Sequence, residues 1–257
     1  MKPIVSGIAL LSTALLLAPA VFAASLEEIL ARGQLQIGVS IFPPWVSRNA
    51  AGELEGFEID VGRRVAEAMR VEPEFRVYVW DEIIDGLERG EIDMIATGMA
   101  ITPLRAVRVD FSDPYSESGY TVVVNDSAVT EALGSIRDLD TESHIIATVD
   151  QTLSGQAAPL FFDSADLEVF VDPQDAEAAV LSGRVHAYMT SLPEATLLVG
   201  RFSDRLRIPL ADPVGTAPAG FAVQRNNATL LEFLNEWISG VEQQQWLERA
   251  YDDWFSP

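Results

Sequence analysis

The chain of 257 residues contains no cysteine, one lysine and two histidines. Without cysteine there is no disulfide, no thiolate nucleophile and no thiolate metal site. The one lysine, Lys2, stands at the very start, so Schiff-base chemistry and a lysine-bearing phosphate loop are excluded from the body of the chain. His144 and His186 lie in short apolar runs with no acid at motif spacing, and both are read as strand residues. Neither G-x-S-x-G nor H-E-x-x-H occurs, so hydrolytic and metalloprotease chemistry find no support. No metal, no cofactor and no catalytic residue is expected. After the first 23 residues no apolar run is long enough to span a membrane.

What is present in excess is negative charge, a formal −22 at pH 7. A surface of that sign argues against nucleic acid or anionic lipid as a partner and favours solubility. The leader, 1–23, has a short basic start, the apolar run "IALLSTALLLA" and then "VFA". It reads as a secretory signal peptide cleaved after Ala23; a membrane anchor is the alternative, but the run falls short of the ~20 residues a span needs. No cysteine stands at the cleavage site, so no lipid tether is expected.

Strands and helices alternate through the rest. "LQIGVSIF" (Leu35–Phe42) is a buried strand that runs into "PPW", and "GFEIDVGRRVAEAM" (Gly56–Met69) has helical spacing of its apolar residues. "EFRVYVW" (Glu74–Trp80) alternates as a strand, "DEIIDGLERG" is a short helix stopped by Gly90, and "DMIATG" is another strand. The pattern restarts after Tyr120 with the strands "YTVVVND" and "HIIATVD", a helix "DPQDAEAAVLSG" capped by Asp172, and the strand "RVHAYMTS". This interval implies a mostly parallel α/β architecture. Aligning Gly90 with Gly183 pairs "GEIDMIAT" with "GRVHAYMT". Two lobes of similar design would then present strand ends, Thr97 and Thr190, to one crevice, where open α/β sheets bind ligands. The C-terminal stretch forms long amphipathic helices that cover the first lobe, with Trp237, Trp246 and Trp254 as packing anchors.

In "GMAITPLRAVRVDFSDPY" Thr102 is an N-cap residue and Pro103 suits the position after it, which puts Arg105 in a first turn. The helix macrodipole favours acids there. A guanidinium beside free N–H groups makes an anion site with bidentate geometry; a surface arginine paired with Asp110 or Asp113 is the alternative.

Taken together, "GFEIDV", "LERGEIDMIATGMAITPLR", "FSDPY" and "AYMTSLPEA" resemble the family 3 extracellular solute-binding proteins, the polar-amino-acid receptors of ABC importers. The resemblance runs from Leu35 to the C-terminus. It implies an α/β, type II periplasmic-binding fold, two lobes joined by a two-strand hinge, with 24–118 and 213–257 in lobe 1 and 119–212 in lobe 2. It further implies a periplasmic monomer that closes on a small carboxylate-bearing solute and delivers it to an inner-membrane permease.

The same resemblance assigns site residues. Arg105 and Thr152 would hold the ligand carboxylate, and Phe42 and Phe57 would sandwich its apolar body. Trp45 either adds a wall or is buried in lobe packing. Thr97, Gly98 and Thr102 would offer polar or backbone contacts, and Thr190, Ser191 and Glu194 would face the far end. Three positions depart from the family pattern: Gln151 replaces a glycine of the carboxylate loop, Ser191 stands where an aspartate usually receives the α-ammonium, and Ala100 replaces a Ser or Thr. The expected ligand therefore has a carboxylate but no conventionally placed free ammonium: an N-substituted amino acid, a cyclic or betaine-like solute, or a plain organic acid. Two alternatives share the fold. A cyclohexadienyl dehydratase would use Glu194 as general acid, although Ser191 and Glu194 also read as a capping box; a sensor would present the bound solute to a membrane receptor.

Overall fold

The computed structural model describes residues 24–255; the leader read as a signal peptide lies outside the described residues. Ser25 opens α1 (Leu26–Arg32) with a reciprocal capping box to Glu28, and Gly33 closes it in the left-handed conformation. Strand β1 (Gln34–Val39) follows at once. It stops short of the expected Phe42, because Phe42 turns back to pair with Val46 across the two prolines. After a small hairpin of β2 (Ser47–Arg48) and β3 (Leu54–Glu55), α2 (Phe57–Met69) buries the face carrying Ile59, Val61, Val65 and Met69. Strand β4 (Glu72–Val77) lies parallel to β1, and a short 3-10 turn at Trp80–Glu82 leads into α3 (Ile83–Glu88) and β5 (Met94–Ile95). The four-residue α4 (Pro103–Ala106) and β6 (Val109–Phe111) complete this stretch.

The long β7 (Ser116–Asn125) starts the second unit. It continues with β8 (Ile145–Val149), α5 (Leu153–Ala157), β9 (Asp166–Phe170), α6 (Pro173–Leu181), β10 (Ala187–Ser191), α7 (Leu192–Arg201) and β11 (Leu206–Arg207). Strand β12 (Gly215–Ala219) returns along β7, with Ala219 opposite Ser116 and Gly215 opposite Tyr120. Strand β13 (Ala222–Gln224) then rejoins the first sheet, and α8 (Ala228–Gln243) and α9 (Trp246–Phe255) end the described chain.

Two sheets result, ordered β4-β1-β5-β13-β6 and β11-β7-β10-β8-β9, with β12 attached to β7. The crossover-linked pairs β1–β4, β1–β5, β8–β9 and β8–β10 are parallel, as alternating strands and helices require, while the strands next to the two crossings are antiparallel. The weak repeat has a structural counterpart: Gly90 (φ 68°) and Gly183 (φ 76°) take the same left-handed conformation between a helix and the strand β5 or β10.

Four clusters of buried side chains face the sheets. In the largest, Leu230, Leu234, Trp237 and Ile238 of α8 and Leu247 of α9 pack with Ile37, Val61 and Val65, so the C-terminal helices do cover the first lobe. Trp246 lies under the Arg64 guanidinium (5.3 Å), and Trp254 donates its indole N–H to Asp60 at 2.9 Å. The histidines differ from expectation. Both sit one residue before their strands, and because β8 and β10 begin within one residue of each other (Ala187 opposite Ile146) the two rings meet 4.9 Å apart. His186 Nδ1 accepts the Ile145 N–H (3.0 Å), and His144 Nδ1 meets the Leu139 carbonyl (3.1 Å).

Candidate functional site

Between the two sheets lies a narrow cavity, walled on one side by residues after β1, β4 and β5 and on the other by β7, the turn before α5, and Ser191. Among the described residues Arg105 is its only charged lining residue. Thr102 caps α4 as the sequence suggests, accepting the Arg105 N–H at 3.3 Å, but it does not line the cavity. That N–H is therefore already occupied, and a helix of four residues adds little macrodipole; the site's positive charge is the guanidinium itself. Its Nη1 donates to the Ala100 carbonyl (2.8 Å) and its Nη2 reaches across the cleft to the Gln151 carbonyl (2.6 Å).

The side chain is buried, with the Trp80 ring 5.5 Å from its central carbon. Among the described residues it has no carboxylate partner. Asp110 instead accepts the Asn226 N–H, and Asp113 is exposed, so the reading of a surface arginine paired with either is corrected. Burial lowers the guanidinium to about 10, still cationic at neutral pH. A buried cation without a counter-ion is costly, and a lone guanidinium facing a cavity is organised to receive an anion.

The opposite wall is the turn into α5. Gln151 sits at φ 55°, a conformation for which glycine is better suited, and presents its carbonyl to Arg105 while its side chain points to solvent. Thr152 lines the cavity, but its hydroxyl is engaged on three sides: it donates to the Val149 carbonyl (2.7 Å), accepts the Gly155 N–H (3.0 Å) and meets Ser154 Oγ (3.0 Å). Its hydroxyl proton is thus committed to the turn. Leu153 and Ser154 also line this wall.

Phe42 and Trp45 line the apolar side, Trp45 while also nearly buried in the core. Phe57 does not. As the first residue of α2 it points into the core, fully buried among Trp45 (5.8 Å between ring centroids), Tyr251 (5.8 Å) and Phe255 (5.6 Å), so it backs Trp45 rather than facing the cavity. Sequence reading missed Trp80, which ends an alternating run and looked like a strand residue; the chain leaves β4 at Val77 and turns the indole into the cleft. Gly119 and Tyr120, on the crossing strand β7, were also missed.

Thr97 and Gly98 both line the cavity. Thr97 Oγ1 accepts the Ser40 N–H (3.1 Å) and so ties β5 to β1. Gly98 lies at φ 64° against Trp45; a Cβ there would stand 2.9 Å from the indole, closer than such atoms approach. Its N–H donates to Glu58 Oε1 (2.7 Å), and the Tyr115 hydroxyl bonds the same carboxyl at 2.8 and 3.0 Å. Complete burial raises Glu58 to about 8, so it is protonated at neutral pH and sits beneath the cavity floor as a neutral group.

On the far side Ser191 lines the cavity and caps α7, accepting the Glu194 N–H at 3.3 Å. Thr190 and Glu194 do not line it. The Glu194 carboxyl turns inward to the Thr190 and Tyr188 hydroxyls (Tyr188 at 3.1 Å), and burial raises it to about 8. The predicted capping box is therefore only half made, because that carboxyl does not return to the Ser191 N–H.

Comparison with known proteins agrees with this arrangement. The family model of the bacterial extracellular solute-binding proteins, family 3, matches residues 35–257. A protein of Sinorhizobium fredii named as a probable amino-acid ABC transporter periplasmic-binding protein is 31% identical over 226 residues, 83% of this chain and 74% of the relative. Among solved structures, an ancestral amino acid-binding protein described as a precursor of cyclohexadienyl dehydratase superposes with a TM-score of 0.82 at 32% identity, covering 91% of this chain and all (100%) of that one. An ancestral arginine-binding protein bound to arginine gives 0.81 at 30% identity, with 88% and 99% covered. The structural neighbours share the two-lobed architecture described above.

Proposed function

Because the chain belongs to the bacterial extracellular solute-binding proteins of family 3, we propose that it is exported to the periplasm and carries a small carboxylate-bearing solute to the membrane permease of an ABC importer. The lobes are taken as 24–118 with 213–257, and 119–212. The observation that carries this reading is Arg105: among the described residues the one charge facing the cavity, buried, without a carboxylate partner, and already bonded to both walls. A ligand carboxylate entering the cleft takes the place of neutral carbonyl oxygens on the guanidinium and forms a bidentate, charge-assisted pair. Because Ala100 belongs to one lobe and Gln151 to the other, an anion held there bridges the two and favours the closed arrangement over the open one. Phe42, Trp45 and Trp80 supply the apolar surface, while Thr97, Gly98, Thr152 and Ser191 shape the polar rim.

A dehydratase would need an acid at the solute. Glu194 is held away from the cavity by Thr190 and Tyr188, so the binding reading is the one the geometry favours. The test is calorimetric titration of refolded, ligand-stripped protein with a panel of small carboxylates, alongside Arg105→Met. At least one carboxylate should bind, and the variant should lose at least about 30-fold in affinity while still melting cooperatively. A ligand whose affinity ignores Arg105, or no binding by any carboxylate, would overturn the proposal.

A further inference from the structure

The chemistry around Arg105 also restricts what the rest of the solute carries, an inference that rests on the carboxylate reading above. A primary ammonium needs acceptors for three N–H groups, ideally with a carboxylate among them. Among the described residues the cavity lining has no carboxylate. Glu58 is occupied by the Gly98 N–H and Tyr115, and Glu194 by Thr190 and Tyr188, both behind the wall. Asp172 borders the neighbouring groove, where it caps α6 through the Gln174 N–H (2.8 Å), and Asp81, next to Trp80, does not line the cavity. The oxygens that do face it are neutral: Thr97 and Ser191 each already accept a backbone N–H, and the Ala100 and Gln151 carbonyls sit against the guanidinium. A primary ammonium here would exchange water for neutral acceptors beside a buried cation, with no carboxylate to offset its desolvation.

What the cavity offers instead is aromatic surface. Phe42 and Trp80 stand with ring centroids 6.0 Å apart at 49°, Trp45 lines the same space, and among the described residues Leu153 is the one large aliphatic side chain facing it. Trp80 already has one cation near its ring, Arg105 at 5.5 Å. A cation that carries no N–H loses no hydrogen bonds on burial and is attracted by ring faces, indole most strongly. We propose that the solute is a carboxylate with a fully N-alkylated ammonium, a betaine, its carboxylate on Arg105 and its cationic head against Phe42, Trp80 and Trp45.

The experiment is titration of ligand-stripped protein with glycine, N-methylglycine, N,N-dimethylglycine and glycine betaine, and with proline betaine against proline. A further probe is 3,3-dimethylbutyrate, which has the shape of glycine betaine with carbon in place of the cationic nitrogen. Affinity should rise with each methyl group, and the carbon isostere should bind more weakly than the betaine. Replacing Trp80 by Phe and then by Leu should reduce the betaine's affinity stepwise, by between about 2- and 30-fold in all. The betaine-to-isostere ratio should fall toward one in the same series, a change that misfolding would not produce.

Tighter binding of a primary-amine amino acid than of every betaine would overturn the inference, most directly if Asp81→Asn or Ser191→Ala abolished that binding. An isostere as tight as the betaine would overturn it too, showing a plain apolar acid to be the ligand. In both cases binding lost in Arg105→Met leaves the carboxylate reading standing, whereas no binding by any of these compounds or of the wider carboxylate panel counts against both.

Discussion

Glu58 gives the sharpest test of the electrostatics beneath the cavity. Its carboxyl is fully buried, held by the Gly98 N–H and the Tyr115 hydroxyl, and raised from an ordinary 4.5 to about 8 chiefly by desolvation. Between those two values the folded protein keeps the proton and the unfolded chain releases it. Stability contributed by this group is therefore present below pH 4.5 and declines as pH rises, by about 1.4 kcal/mol per pH unit, until the decline levels off near pH 8. Glu194, raised to about 8 by burial behind Ser191, adds a second decline over the same window. The substitution that isolates the first is Glu58→Gln. An amide oxygen can still accept the Gly98 N–H and its nitrogen can donate to Tyr115, so at pH 5 the variant should lie within roughly 1 kcal/mol of the parent.

Nothing titrates in the amide, so the parent's lead must shrink with pH and the variant should be the more stable protein at pH 8.5. Urea denaturation of both proteins at half-unit intervals from pH 5 to 8.5 measures that difference directly, and the self-repulsion of the acidic surface cancels between them. A stability difference that stays flat over that range, or grows in favour of the parent, would refute the assignment of Glu58 as a buried neutral acid.

Two further outcomes follow from single residues. Gln151→Gly removes a left-handed non-glycine residue whose side chain is exposed, so relief of about 1–2 kcal/mol of strain should outweigh the roughly 0.5–1 kcal/mol entropic cost of glycine; denaturant melts should show a small gain, and a clear loss would mean the conformation is not strained. His186 is held below its ordinary 6.5 by burial and by the neighbouring His144, with Nδ1 accepting the Ile145 N–H. Its contribution is thus present above pH 6.5 and lost as pH falls below it, so His186→Gln, which keeps an acceptor, should flatten the acid side of the stability profile; an unchanged slope there would count against His186 being held below its ordinary value.

The alternation of strands and helices was legible because each element buries one face, and a buried face leaves its period in the sequence. Element ends were less so. β4 stops at Val77 rather than Trp80, and no local pattern distinguishes an indole that continues a strand from one that swings into a cleft. Thr102, Ser191 and Asp172 were readable as caps because capping is a local bond between neighbours in sequence. Phe57 and Trp45 show the limit from the other side. Both are aromatic and both flank the cavity region, yet the position of Phe57 at the start of α2 turns it inward while Trp45, in the preceding loop, is left at the cavity wall. Glu58 and Glu194 each sat in plain view beside an expected site residue, but their burial is a tertiary fact.

On the proposed reading, the bond between Arg105 and the Gln151 carbonyl would set a threshold on what the cleft accepts. The guanidinium already donates to two neutral oxygens, the Ala100 carbonyl and the Gln151 carbonyl across the cleft. A solute whose only acceptor is another neutral carbonyl exchanges like for like and gains nothing from the cation, so it must bind through its apolar body alone. A carboxylate replaces an ion–dipole contact with an ion pair, and it does so where burial has removed the water that would otherwise screen the attraction. Discrimination between anionic and neutral solutes of the same shape would then arise from the difference between two bonds to Arg105, not from the strength of either one. Gln151 contributes its backbone to that comparison while its side chain stays in solvent, which explains how a residue unsuited to its own backbone angle can occupy the turn without altering the group that faces the cavity.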